Sequence, residues 1–133
     1  MTPPQPGPQP GTKADAAHWP VEIRLKKAEK VLEIDFDDDR SFSFPAEFLR
    51  VYSPSAEVTG HGPGQRVIIA GRRHVGIMEL IPVRNYAVQI KFDDLHDTGI
   101  FSWDYFSELG ETQDKLWQEF LDALEAKGLS RDP

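Results

Sequence analysis

From Trp19 onward, apolar and polar residues alternate. Val21, Ile23 and Leu25 are separated by Glu22 and Arg24, and Lys26 follows. A period of two marks a strand with one buried face. After a turn over residues 28–30, Leu32, Ile34 and Phe36 alternate with Glu33, Asp35 and Asp37, which predicts a second strand. Asp37-Asp38-Asp39-Arg40 is a polar turn of the kind that closes a hairpin, and Phe42 and Phe44 form a short third strand. Pro45 suits the first position of a helix, where its missing N–H is no loss, and the apolar run 46–51 follows it.

The second half repeats this rhythm. Val67-Ile68-Ile69-Ala70 reads as a short buried strand, and Gly71-Arg72-Arg73 as a turn. Extended structure is expected from Val75 to Val83, with Pro82 pointing to a sheet edge. Residues 85–92 form the clearest later strand, residues 93–99 a polar turn, and 103–109 a short helix stopping at Gly110. From Thr112 to Lys127, Leu116, Trp117, Phe120, Leu121 and Leu124 lie on one helical stripe, a core-docking face. Thr112 is the expected N-cap, and Gly128 with Leu129 the C-terminal cap.

Two stretches echo each other. Leu32-Glu-Ile-Asp-Phe36-Asp-Asp leads to Phe44-Pro-Ala-Glu-Phe-Leu49, and Val88-Gln-Ile-Lys-Phe92-Asp-Asp leads to Phe101-Ser-Trp-Asp-Tyr-Phe106. The second copy carries one more residue between its two strands, around His96. The expected fold class is α+β, mostly β: a compact antiparallel-sheet domain of two hairpin-plus-short-helix units, closed by a C-terminal amphipathic helix. That single domain is placed at residues 18–130. Residues 1–17 hold five prolines in the first ten positions and no Val, Ile, Leu or aromatic residue, so a disordered proline-rich tail is expected there.

Composition removes whole classes of chemistry. The chain of 133 residues has no cysteine, which excludes disulfides, thiolate metal sites and thiol catalysis. A net charge of -7 argues against a general phosphate-binding surface, so no nucleic-acid partner is expected. No apolar run is long enough for a membrane span, and no secretory signal opens the chain. A cytoplasmic protein is expected. None of His18, His61, His74 and His96 is followed two residues later by an acid, and no hydrolase or nucleotide-binding motif occurs. A small-molecule enzyme would need a pocket around His61 or His96.

Three features remain as candidates. Gly60-His61-Gly62-Pro63-Gly64-Gln65 is either an anion-binding backbone nest or a sharp surface loop. Asp93, Asp94, His96 and Asp97 are either ligands for a hard cation or a solvated acidic turn. Arg66, Arg72 and Arg73 beside His74 either meet an acidic partner or balance the chain's own acids.

Several of these residues together resemble a known family. They are Phe48-Leu49-Arg50-Val51-Tyr52-Ser53-Pro54-Ser55-Ala56-Glu57-Val58, the 60–65 loop, Asn85-Tyr86-Ala87-Val88, and Phe92-Asp93-Asp94-x-His96-Asp97-x-Gly99-Ile100-x-Ser102-Trp103. The chain is similar to the DUF971 family, the gamma-butyrobetaine hydroxylase-like N-terminal domain, over residues 19–130. The resemblance implies a mostly β domain that accompanies other proteins, among them iron–sulfur carriers. In the hydroxylases it holds a structural zinc through three cysteines and one histidine. Those positions fall on Ser53, Ser55, Val58 and His96, so no zinc or other cofactor is expected, and His96 should hydrogen-bond near residues 53–55. The expected function is a non-catalytic accessory module for an unidentified protein partner. Its binding residues would be Ser53, Ser55, Gly60, His61, Gly62, Gly64, Gln65 and His96. The alternative is an open iron or zinc site on His61, His96 and Asp97. Two histidines would then lie within about 5 Å. Nothing in the sequence sets the oligomeric state.

Overall fold

The computed structural model describes residues 18–54, 68–97 and 99–133. The proline-rich tail, Ser55, Val58, the 60–65 loop with His61 and Gln65, and Arg66 lie outside the described residues. Two antiparallel meanders follow one another. The first is β1 (Pro20–Lys26), β2 (Val31–Phe36) and β3 (Ser41–Pro45), leading into helix α1 (Ala46–Val51). The second is β4 (Ile77–Val83), β5 (Ala87–Phe92) and β6 (Ile100–Ser102), leading into α2 (Trp103–Glu111), and α3 (Gln113–Ala126) closes the chain. The strand orders are β1-β2-β3 and β4-β5-β6. Pro82 therefore lies on an edge strand, where its missing N–H interrupts no ladder. The architecture is α+β and mostly β, as the hydrophobic pattern predicts.

The middle strand of each sheet carries the core. Leu32, Ile34 and Phe36 on β2, and Ile90 and Phe92 on β5, are buried, with their in-between neighbours only partly so. Phe44 of β3 and Phe106 of α2 meet with ring centres 5.6 Å apart, joining the two units, and Phe101 stacks on Phe106 at 5.3 Å. The α3 stripe docks inward: Phe120 and Leu124 are buried, and Trp117 packs on Phe48 at 6.3 Å.

The two units correspond bond for bond. The first residue of each helix donates its N–H to the residue before the middle strand, Ala46 to Lys30 at 2.8 Å and Trp103 to Tyr86 at 3.0 Å. Val31 faces Pro45 as Ala87 faces Ser102, and Leu32 faces Phe44 as Val88 faces Phe101. The extra residue of the second unit falls between His96 and Gly99.

Four local expectations need correction or refinement. Ile68, Ile69 and Ala70 are irregular rather than a strand: among the described residues they join neither sheet and only pack part-buried against the core. Pro45 ends β3 with extended angles and caps α1, so Ala46 takes the first helical position. Thr112 caps α3 by position, but its hydroxyl donates back to the Glu108 carbonyl of α2 at 2.8 Å. Gly110 lies one residue inside α2, whose helical run ends at Glu111. At the far end of α3 the expected cap is present: Gly128 has φ 66°, its N–H bonds Glu125, and the Leu129 N–H bonds Leu124. This is a Schellman motif, in which glycine supplies the left-handed residue.

Candidate functional site

The acidic hairpin turns are the same device built twice. In the first unit the Phe36 N–H bonds the Arg40 carbonyl at 2.8 Å, and the Asp39 N–H bonds the Phe36 carbonyl at 3.1 Å. In the second, the Phe92 N–H bonds the His96 carbonyl at 2.9 Å, and the Leu95 N–H bonds the Phe92 carbonyl at 3.1 Å. Asp38 accepts from the Arg40 N–H and Asp94 from the His96 N–H, at 3.2 and 3.1 Å. The third turn residue is left-handed in both, with φ 70° at Asp39 and 74° at Leu95.

Side chains then set the second turn apart. The His96 ring is buried, and its Nε2 lies 3.0 Å from the hydroxyl of Ser53, which is itself fully buried. The expected hydrogen bond between His96 and the 53–55 stretch is thus present at Ser53. Asp94 anchors the other side: one of its oxygens accepts from Arg50 Nε at 2.8 Å and from Arg72 Nε at 2.7 Å. Burial alone would raise the Asp94 carboxyl, but hydrogen bonds from Arg50, the His96 N–H and Arg72 outweigh it and hold it below the usual carboxylate range. Arg50 is 2 % exposed on α1, so this ion pair joins the turn to the interior.

Gly99 completes the arrangement. A Cβ there would stand 2.2 Å from the Ser53 hydroxyl and 3.2 Å from the Phe101 ring, so only glycine leaves room for Ser53 to reach His96. Between its two anchors the turn presents Leu95, which is 83 % exposed.

Of the expected binding residues, the structure brings Ser53 and His96 together; the others lie outside the described residues. Asp97 is half-buried, and its carbonyl accepts from the Gln89 side chain. Among the described residues no group of three or more His, Asp or Glu side chains is arranged to hold a metal ion. The donor set also does not fit a closed zinc site. The hydroxyl and imidazole bond each other, and Asp94 is taken up by two guanidiniums. Arg72 and Arg73 pair with Asp94 and Asp132, so these two members of the basic cluster serve the chain's own acids. Among the described residues no helix is long and apolar enough to cross a membrane.

Arg50 and Leu95 were missed as site residues, and Arg72 was singled out only as part of the basic cluster. Two signals in the sequence pointed there: an arginine inside the apolar run 46–51, and a lone leucine inside an otherwise polar turn.

Comparison with known proteins gives a consistent picture. The model of the family described as gamma-butyrobetaine hydroxylase-like, N-terminal, matches residues 23–107. Two proteins solved in solution by NMR are similar in sequence and fold. One is 46 % identical with a TM-score of 0.76, over 87 % of this chain and 91 % of that one. The other is 41 % identical with a TM-score of 0.76, over 96 % and 92 %. A crystal structure of a DUF971-family protein of unknown function from Acidithiobacillus ferrooxidans is 38 % identical, with a TM-score of 0.58 over 68 % and 91 %. A search of the curated proteins found no match to this chain.

Proposed function

This chain belongs to the gamma-butyrobetaine hydroxylase-like N-terminal (DUF971) family, and on that premise we propose that it is a non-catalytic docking module for a protein partner. Its contact surface is the 93–97 turn together with the stretch from Ser53 to Gln65, of which Ser53 meets the turn at His96. The observation that carries the reading is Leu95. A left-handed backbone costs an ordinary L-residue about 1–2 kcal/mol, and leucine has no polar group to offset it. Here that cost falls on a side chain that is 83 % exposed. The turn is fixed through Asp94 on one side of Leu95 and His96 on the other, so the apolar group is held in place before any partner arrives. Rigid presentation lowers the ordering cost of association, and a few such apolar anchors dominate many interfaces.

The test is site-specific photocrosslinking in cells, with a benzophenone amino acid at position 95 or at the matching position 39. A discrete protein adduct from position 95, absent from position 39 and weakened by His61→Ala with Gln65→Ala, is the expected result. Equal adduct patterns from the two turns would remove the assignment.

A further inference from the structure

A second place in the molecule is built for recognition, away from the turns. Glu47 of α1 is 5 % exposed, yet it is charged and fully engaged. Its two oxygens accept from Arg131: Nε at 3.2 and 2.9 Å, and Nη2 at 2.7 Å. The same guanidinium lies 5.1 Å from the centre of the Trp117 ring. A carboxylate in the plane and an indole face above are the two contacts that select a planar guanidinium over an ammonium. Beside them opens a cleft of about 280 Å³, where Gln113 and Asp114 add polar groups and a second carboxylate, and Phe48 part of the wall.

The walls and the occupant differ in how they are held. Glu47 and Trp117 belong to α1 and α3, which pack on the core through Phe48 and Phe120. Arg131 belongs to the segment after α3, whose other residues from Gly128 to Pro133 are all exposed. That segment is tied by two backbone hydrogen bonds, from the Gly71 N–H to Ser130 and from the Arg73 N–H to Arg131, and by the exposed Arg73–Asp132 pair.

We propose that the Glu47–Trp117 cleft is a binding site for an arginine side chain, which the chain fills with its own Arg131 and which accepts the arginine of a partner peptide when the 130–133 segment lifts away. Exchange of one guanidinium for another keeps the buried carboxylate paired, so it avoids the large cost of leaving Glu47 bare. The tethered Arg131 competes at the high effective concentration of a short linker, so the intact chain binds free arginine more weakly than a chain without that residue. The proposal does not depend on the docking surface around Leu95.

The probe is acetyl-arginine amide, with the neutral acetyl-citrulline amide as control. In Arg131→Ala, the Trp117 indole N–H resonance should move saturably with the arginine probe. The affinity should be roughly tenfold above that of the intact chain, with no saturation by citrulline. No saturation by arginine, or an equal response to citrulline, overturns the proposal. Should Arg131→Ala fail to fold, the intact chain decides. Excess arginine probe should speed amide exchange at Gly71 and Arg73 about threefold, while Phe92, bonded to His96, keeps its rate. Unchanged exchange at Gly71 and Arg73 would then overturn it.

Discussion

The 37–40 and 93–96 turns share every backbone hydrogen bond described above and the same left-handed third residue, yet the side chains on that frame meet different partners. In the first turn Arg40 lies over the Phe36 and Phe42 rings and bonds Asp38, Glu111 and the Ser107 hydroxyl. In the second, His96 occupies the same backbone position and goes inward to Ser53. Asp38 closes an exposed pair, whereas the matching Asp94 holds an arginine that is 2 % exposed. The difference shows what duplication leaves free. Register and turn geometry are repeated because the ladder demands them, while the side chains on that frame serve surface closure in one copy and a built site in the other.

The largest break in this comparison should come from Asp94→Asn. It leaves the buried Arg50 facing a neutral group, and removing one member of a buried pair costs about 3 kcal/mol, at the low end because Asp94 keeps some exposure. The matching Asp38→Asn should cost clearly less, since that pair is exposed. Urea denaturation of the two variants checks the ranking. The pH dependence follows with a definite sign. The folded Asp94 carboxyl lies below its ordinary value, so its contribution is fully present above the usual carboxylate range, near pH 4. It is lost as the pH falls through the folded value. Asp94→Asn should therefore flatten part of the acid-side loss of stability, and a variant with an unchanged acid limb would show that Asp94 carries none of it.

Gly99 gives the next effect in size. It stands where the first unit has Phe42: Phe42 pairs with Ile34, and Gly99 accepts from the matching Ile90 at 3.3 Å. Gly99→Ala should cost about 1–3 kcal/mol, because its methyl would occupy the place of the Ser53 hydroxyl. Adding Ser53→Ala removes the clash and should recover much of the loss, leaving about 1 kcal/mol for the missing hydrogen bond to His96. A double-mutant cycle measures this coupling. Strict additivity would mean that Gly99 and Ser53 do not meet as described.

How much of this was legible depended on which physical rule was in control. Alternation placed β1, β2 and β5, and the stripe from Leu116 to Leu124 placed α3, because burial of one face dictates those residues directly. The repeat was visible through Phe36-Asp-Asp and Phe92-Asp-Asp, and so was the added residue near His96. Ile68-Ile69-Ala70 misled, because an apolar run reports burial and not strand pairing. The pairing of Ser53 with His96 came from the family resemblance; no rule of spacing links residues 43 apart. The roles of Arg50, Arg72 and Gly99 were hidden for the same reason, since each depends on a group brought near only by the meeting of the two units.

The smallest expected effect is the most informative about function. Leu95→Asn keeps the left-handed turn with a residue that tolerates it, and removes an exposed side chain with little packing to lose. It should raise stability by about 0.5–1 kcal/mol, a shift of a few degrees in the melting temperature. The reverse change in the other turn, Asp39→Leu, should lower stability by about as much. If both hold, the second unit carries a leucine that its own fold would be better without, in a turn whose twin has a residue suited to the angle. Folding then does not explain Leu95. With the crosslinking amino acid moved to the exposed position 93, loss of the partner adduct in Leu95→Asn, with stability raised, would place the role of the leucine in the contact itself. A Leu95→Asn chain that is less stable than the parent would instead mean that the leucine contributes to the fold, and the anchor would have to be sought elsewhere on that surface.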